Sequence, residues 1–313
     1  MDALVLAVAA QFGLGEVVSV GRPTYGGPEV RLVTTEAGSF VLKHFDSPWH
    51  AELCDVVADH LNARGVRQAR LFRTVDGRVV TRDGYSVQER LPGEVFMSPS
   101  PEQHHAVFAY LARHDSALAD LAVPAELGTA DTVWTRTASA EYLLANLFDL
   151  LGRHQGATLQ PGPIADALAA LAEALPTIAS LPAQLVHGDV GSDNVLLDGS
   201  NVAVVDFTPY HQPALFALGT ALYWYFVHGK PDGIDLAGIR SALGSYAECR
   251  SFTSAELSVL PAMVLRESLR RLAVPLALGG PSGRGPGSAA DLRYAAAVAV
   301  AAALPELVAT CRG

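Results

Sequence analysis

Residues 187–207 read HGDVGSDNVLLDGSNVAVVDF: two short apolar runs, NVLLD and NVAVVDF, joined by Gly199 and Ser200. Glycine as the first loop residue suits a type II′ turn, so the segment predicts a two-stranded hairpin. It is the one strand-like stretch in a C-terminal part that otherwise reads as helix. This requires a mixed fold with a β-ribbon set into a helical body. With Asp198 facing Asn201, the ladder puts Asn194 opposite Val205 and next to Asp206. Both polar side chains then emerge at the open end of the hairpin, beside the loop that carries Asp189.

Asp and Asn are ordinary turn residues, and an isolated pair of them would mean no more than a turn. Here they bracket an apolar hairpin. Hard oxygen donors in that arrangement suit Mg²⁺, which is bound through one or two protein groups plus phosphate oxygens. Asp189, after His187 and Gly188, is left to accept a hydrogen bond from a hydroxyl. One acid to orient a nucleophile and an Asp/Asn pair to hold metal is the division of labour of phosphoryl transfer. His187 reads as a residue that holds the loop.

The chain changes character near residue 92. Before it, EVVSVGRPTYGGPEVRLVTTEAGSFVLKHF predicts three antiparallel strands, with a glycine-containing turn after the first. Ser47 and Pro48 open a helix that ends at Gly65. The stretch ARLFRTVDGRVVTRDGYSVQERLPG then predicts further strands around two Asp-Gly turns. After Gly93, SPEQHHAVFAYLARHDSALADL, SAEYLLANLFDLLGRH, PIADALAALAEALPTIASL, PALFALGTALYWYFVHG and DLAGIRSALGSYAE all carry helical apolar spacing. TSAELSVLPAMVLRESLRRLAV adds a helix opened by a Thr253–Glu256 capping box. The prediction is an α+β fold in two lobes, residues 1–92 and 93–313. GGPSGRGPGSAAD reads as a loop, without the order of a phosphate-cradling motif.

Of the 313 residues, 50% are hydrophobic, enough for a sizeable core, and the formal charge of −10 argues against a nucleic-acid or anionic-membrane partner. Cys54, Cys249 and Cys311 lack metal-ligand spacing, and a reducing, cytoplasmic setting is expected. The N-terminus has no basic region and reads as a helix. AAAVAVAAALPELV is shorter than the about 20 residues a bilayer span needs.

HGDVGSDN followed by VVDF resembles the HGDxxxxN…DF signature of the aminoglycoside phosphotransferase and choline kinase-like family of small-molecule kinases. FVLKHF is similar to that family's lysine-bearing third strand, HAELCDVV to the following helix, SVQERLPGE to the hinge and YLARHDSAL to the helix after it. The resemblance implies a bilobal protein kinase-like fold. It also implies ATP or GTP and Mg²⁺, and a small-molecule hydroxyl acceptor used by a monomer or homodimer. Asp189 would be the catalytic carboxylate, and Asn194 and Asp206 the metal ligands. Lys43 would meet the phosphates and pair with Glu52, backbone at Gln88, Glu89 and Arg90 the purine, and the turn Tyr25, Gly26, Gly27 the phosphates. Without the resemblance, Lys43 is an edge lysine facing away from Leu42, Glu52 a solvated helix residue, and the aromatic run at 223–226 core. Asp193, Tyr210 and Trp224 are candidates for the acceptor side, and Thr208 stands where protein kinases have glycine. The acceptor expected first is an antibiotic of aminoglycoside or nucleoside type, giving resistance. A metabolic hydroxyl (homoserine, choline or a sugar) comes second, and a non-catalytic nucleotide binder third.

Overall fold

The computed structural model describes residues 2–22, 30–95, 99–123, 137, 139–153, 161–230, 233–278 and 289–312. Tyr25, Gly26 and Gly27, and most of the Gly/Ser-rich segment after residue 278, lie outside them. By compactness the chain forms one unit from Met1–Gly128 with Ser192–Pro209, and a second from Thr129–Gly191 with Tyr210–Gly313. This differs from a division at residue 92, because the hairpin pairs with backbone of the N-terminal part.

In the first unit, Asp2 caps α1 (Ala3–Gln11) by accepting from the Leu4 N–H at 3.1 Å. Strands β1 (Val17–Gly21), β2 (Arg31–Thr35), β3 (Gly38–His44) and β4 (Tyr85–Glu89) form an antiparallel sheet in that order. The period-2 alternation sends Val33, Phe40, Leu42 and Val87 to a core shared with Val5, Val8 and Phe12 of α1. Lys43 therefore points to the opposite face.

Helix α2 (Pro48–Ala63) opens with Pro48 after an extended Ser47, and Gly65 at φ 73° follows its end. The strands expected on both sides of Asp76-Gly77 are not formed. Thr74 closes a local turn instead, its hydroxyl accepting from the Arg78 N–H at 2.9 Å, and Leu71 makes a lone bridge to Gln88. A side chain that satisfies the turn backbone competes with a ladder there.

The hairpin has the register read from the sequence. β7 (Val195–Asp198) pairs with β8 (Asn201–Val204), Val195 facing Val204 and Asp198 facing Asn201. Gly199 takes φ 61° while Ser200 keeps a negative φ, as a type II′ turn requires. The short strand β5 (Glu94–Val95) adds to β7. Gly93 before it is irreplaceable: at φ 106°, a Cβ would come within 2.9 Å of the Leu197 carbonyl oxygen. Helix α3 (Pro101–Leu118), opened by a Ser100–Gln103 capping box, packs on α2 and β8.

The second unit holds α4 (Ala140–Arg153), α5 (Pro161–Ser180), α6 (Leu215–Phe226), α7 (Leu236–Ala247), α8 (Ser254–Ala277), α9 (Ala289–Ala302) and α10 (Leu304–Arg312). All the helices read from periodicity are present. Two strands missed by that reading, β6 (Ala183–His187) and β9 (Pro209–Pro213), pair on the two sides of the motif in sequence. Each is too short to show alternation. Helix α8 is the hub, in contact with α4, α5, α6, α9 and α10, and Gly219 of α6 lets the backbone of Met263 approach. Residues Gly162–Ser180 are apolar and long enough to match a bilayer span, but this helix packs on α8 and α9.

Candidate active site

The first unit assembles a lysine–aspartate group. The Val205 N–H donates to the Asn194 carbonyl at 2.9 Å, extending the ladder so that Asn194 and Asp206 stand at the hairpin mouth. Asp206 adopts φ 57°, the one non-glycine residue with positive φ among those described. Such strain persists where surrounding contacts enforce it. Three are visible: the Thr208 hydroxyl donates to the Asp206 carbonyl at 3.2 Å, Lys43 Nζ contacts Asp206 Oδ1, and α2 grips the next residue. There His50 Nε2 lies 2.9 Å from the Phe207 carbonyl and Cys54 Sγ 3.6 Å from it. Burial holds the His50 imidazole below its usual pKa, so it is neutral and donates from Nε2. Burial likewise pushes the Cys54 thiol up to about 12, making it an inert wall.

Lys43 thus has Asp206 as its carboxylate partner, and the expected Lys43–Glu52 pair is not formed. Glu52 is exposed and makes no ion pair among the described residues. Helical phase is the reason: the α2 side chains facing Phe207 are His50 and Cys54, one turn apart, and Glu52 lies between them on another face. In the segment expected to form a hinge, the Glu89 N–H is committed to the Arg70 carbonyl at 2.8 Å and its side chain pairs with Arg67. Gln88 faces Val41 within the sheet, and Arg90 is exposed. Asp193 is exposed on a single 3₁₀ turn, Ser192–Asn194.

The second unit assembles a different group around Asp189. Fully buried His187 accepts the Asp189 N–H on Nδ1 at 3.1 Å, fixing the loop after β6. Gly188 has no room for a side chain, since a Cβ would sit 1.7 Å from the ring of Tyr210. That ring cannot yield: it stacks on Phe216 at 5.2 Å, and its hydroxyl accepts from Arg270 Nη2 at 3.0 Å. Gly188→Ala should therefore cost about 1–3 kcal/mol through overpacking and lower activity by moving Asp189. Denaturation midpoints and turnover measured together check this, and unchanged values for both would contradict it.

Asp189 keeps a third of its side chain exposed, and its Oδ1 lies 2.5 Å from Arg271 Nη2. Arg271 Nε contacts Glu267 Oε1 at 2.6 Å, and Arg270 Nη1 reaches both Glu267 oxygens at 3.0 and 3.2 Å. Glu267 is fully buried. Burial opposes its charge, but Arg270, Arg271 and Arg266 outweigh that and hold the carboxyl below its ordinary range. Burial pushes Arg266 down to about 9, and its guanidinium sits 3.6 Å over Phe216. The indole of half-buried Trp224 lies 4.6 Å beneath the Arg271 guanidinium.

Tyr210 is thus a buried wall of the Asp189 loop, not an exposed acceptor contact, while Trp224 stays beside Arg271. The sequence reading missed Glu267, Arg270 and Arg271. The available signal was RESLRR in α8: charges at one-turn spacing inside a helix with no polar stripe to place them on.

In the first unit a carboxylate is held by a lysine beside a carboxamide, and in the second a carboxylate is held by a guanidinium. The chain belongs to the phosphotransferase enzyme family, whose family model matches residues 26–252. It is a small-molecule kinase. Over 256 residues it is 30% identical to the homoserine kinase of Pseudomonas aeruginosa, covering 74% of this chain and 72% of that protein. It shares its fold with an aminoglycoside phosphotransferase from Alicyclobacillus acidocaldarius (TM-score 0.69, 18% identity, covering 98% of this chain and 95% of that one). It also shares it with an amicoumacin kinase solved with AMP-PNP and Ca²⁺ (TM-score 0.66, 16% identity, 97% and 93%).

Proposed function

We propose that this kinase transfers the γ-phosphoryl group of a nucleoside triphosphate, ATP or GTP, to the hydroxyl of a small hydroxy amino acid of the homoserine kind, with Mg²⁺. The observation that carries the reading is the distinct partnering of two carboxylates: Asp206 on Lys43, Asp189 on a guanidinium. In the transfer, the acceptor oxygen bonds to the γ-phosphorus as the bond from phosphorus to the β–γ bridging oxygen breaks. The hydroxyl proton passes to Asp189 and on to solvent, and the nucleoside diphosphate leaves. A carboxylate paired with arginine is a weak base, which suffices for a loose transition state that depends on positioning and charge. Lys43 neutralises phosphate charge.

Asn194 and Asp206 offer hard oxygen donors, and the described residues contain no cluster of three or more His, Cys, Asp or Glu suited to another metal. That donor set fits Mg²⁺, which takes few protein ligands and fills its shell with phosphate oxygens and water. When bound, Mg²⁺ supplies further neutralisation of the phosphates. The unpaired cysteines support a reducing, cytoplasmic setting.

The acceptor ranking reverses the sequence expectation. Similarity to homoserine kinases extends over most of the chain, whereas the likeness to antibiotic kinases is one of fold, which does not carry a substrate. A radiolabelled-phosphate screen over hydroxy amino acids, amino alcohols, aminoglycosides and nucleoside antibiotics tests the proposal. Label should enter a hydroxy amino acid and fall to background with EDTA. Transfer to an aminoglycoside alone would refute the acceptor class.

A further inference from the structure

Arg271 is only partly used by the protein. One edge of its planar fork, Nε and Nη2, is filled by Glu267 and Asp189, whereas Nη1 makes no hydrogen bond to any described residue. The side chain is 13% exposed and held flat on Trp224, so the fork is fixed in orientation before a ligand arrives. Two neighbouring donors are also unsatisfied: Tyr223 Oη and Trp224 Nε1 are buried with no hydrogen-bond partner among the described residues. Buried donors without partners are costly and call for an explanation. The open Nη1 of Arg271, on the guanidinium that holds Asp189, together with these two buried donors points to a ligand rich in acceptor atoms.

We infer that Arg271 is the specificity-determining residue for the acceptor: its Nη1 edge receives the acceptor's carboxylate while Asp189 faces the acceptor's hydroxyl. The inference rests on the reading of Asp189 given above. A planar guanidinium matches a carboxylate in shape and charge. Nη2 already touches Asp189, so Nη1 and the Asp189 carboxylate lie within one small molecule's reach. A hydroxy acid with three carbons between hydroxyl oxygen and carboxylate spans that distance. A polycationic acceptor would instead meet an arginine where its ammonium groups have to sit.

The test compares L-homoserine with 3-aminopropan-1-ol, the same molecule without its carboxylate, using Mg²⁺ and ATP with the full chain. Wild type should favour homoserine by about 100-fold in kcat/KM, the range expected for one charged hydrogen-bonding pair. Arg271→Gln should remove most of that preference, chiefly by raising KM for homoserine, and Arg271→Lys should restore part of it. Were Arg271 only to position Asp189, both acceptors would suffer alike; that result overturns the inference. So does a wild type that phosphorylates the carboxylate-free alcohol as well as homoserine, or neither of them. Asp189→Asn separates the two claims: transfer retained in that variant defeats the site reading itself, whereas transfer lost there and unchanged acceptor preference in Arg271→Gln defeats this inference alone.

Discussion

Asp189→Asn should lower phosphoryl transfer by about 10³-fold, within the range for a positioned acid or base, while nucleotide binding stays close to wild type. Asparagine keeps the shape and can still accept from Arg271, so the loop held by His187 survives. What disappears is the negative charge that, in the proposed function, orients the acceptor hydroxyl and takes its proton. Single-turnover transfer and nucleotide titration on the same preparation give the two readouts. Transfer near the wild-type rate would remove Asp189 from the chemistry, and loss of nucleotide affinity equal to the loss of rate would recast it as a structural residue.

Glu267→Gln should be the most damaging substitution for stability, by about 3–5 kcal/mol, the cost of breaking a buried charge cluster from one side. Glu267 is completely buried and contacts both Arg270 and Arg271, with Arg266 buried on the same helix. Without its charge, three guanidinium groups crowd α8 with too little anion to balance them. The pH dependence follows in sign. Because the folded-state pKa of Glu267 lies below the unfolded value, its contribution is fully present above the ordinary carboxylate pKa of about 4.3. It is lost as the pH falls through the lower, folded value. Urea midpoints should thus differ most between wild type and variant at neutral pH and converge in acid. Equal midpoints at pH 7 would show that the cluster adds nothing.

The hairpin register was legible because a ladder has a strict period of two and a glycine turn sets its phase; Asn194 opposite Val205 followed from counting. Helices α3 to α8 were legible for the same kind of reason, a 3.6-residue apolar repeat. The partner of Lys43 was not. Which α2 side chains face Asp206 and Phe207 depends on the helix's rotation against the sheet, and one residue of phase exchanges Glu52 for His50 and Cys54.

Local pattern alone established the mixed fold and the hairpin with Asn194 and Asp206 at its mouth, because each depends on residues close together in the chain. Tertiary packing alone decided that Asp189 is held by Arg271, 82 positions away, and that Glu267 and Arg270 lock that arginine in place. Charges on a helix carry no label in the sequence saying whether they face water or one another. Only burial, by removing the solvent that would otherwise screen them, turns three such residues into one cluster that holds Asp189.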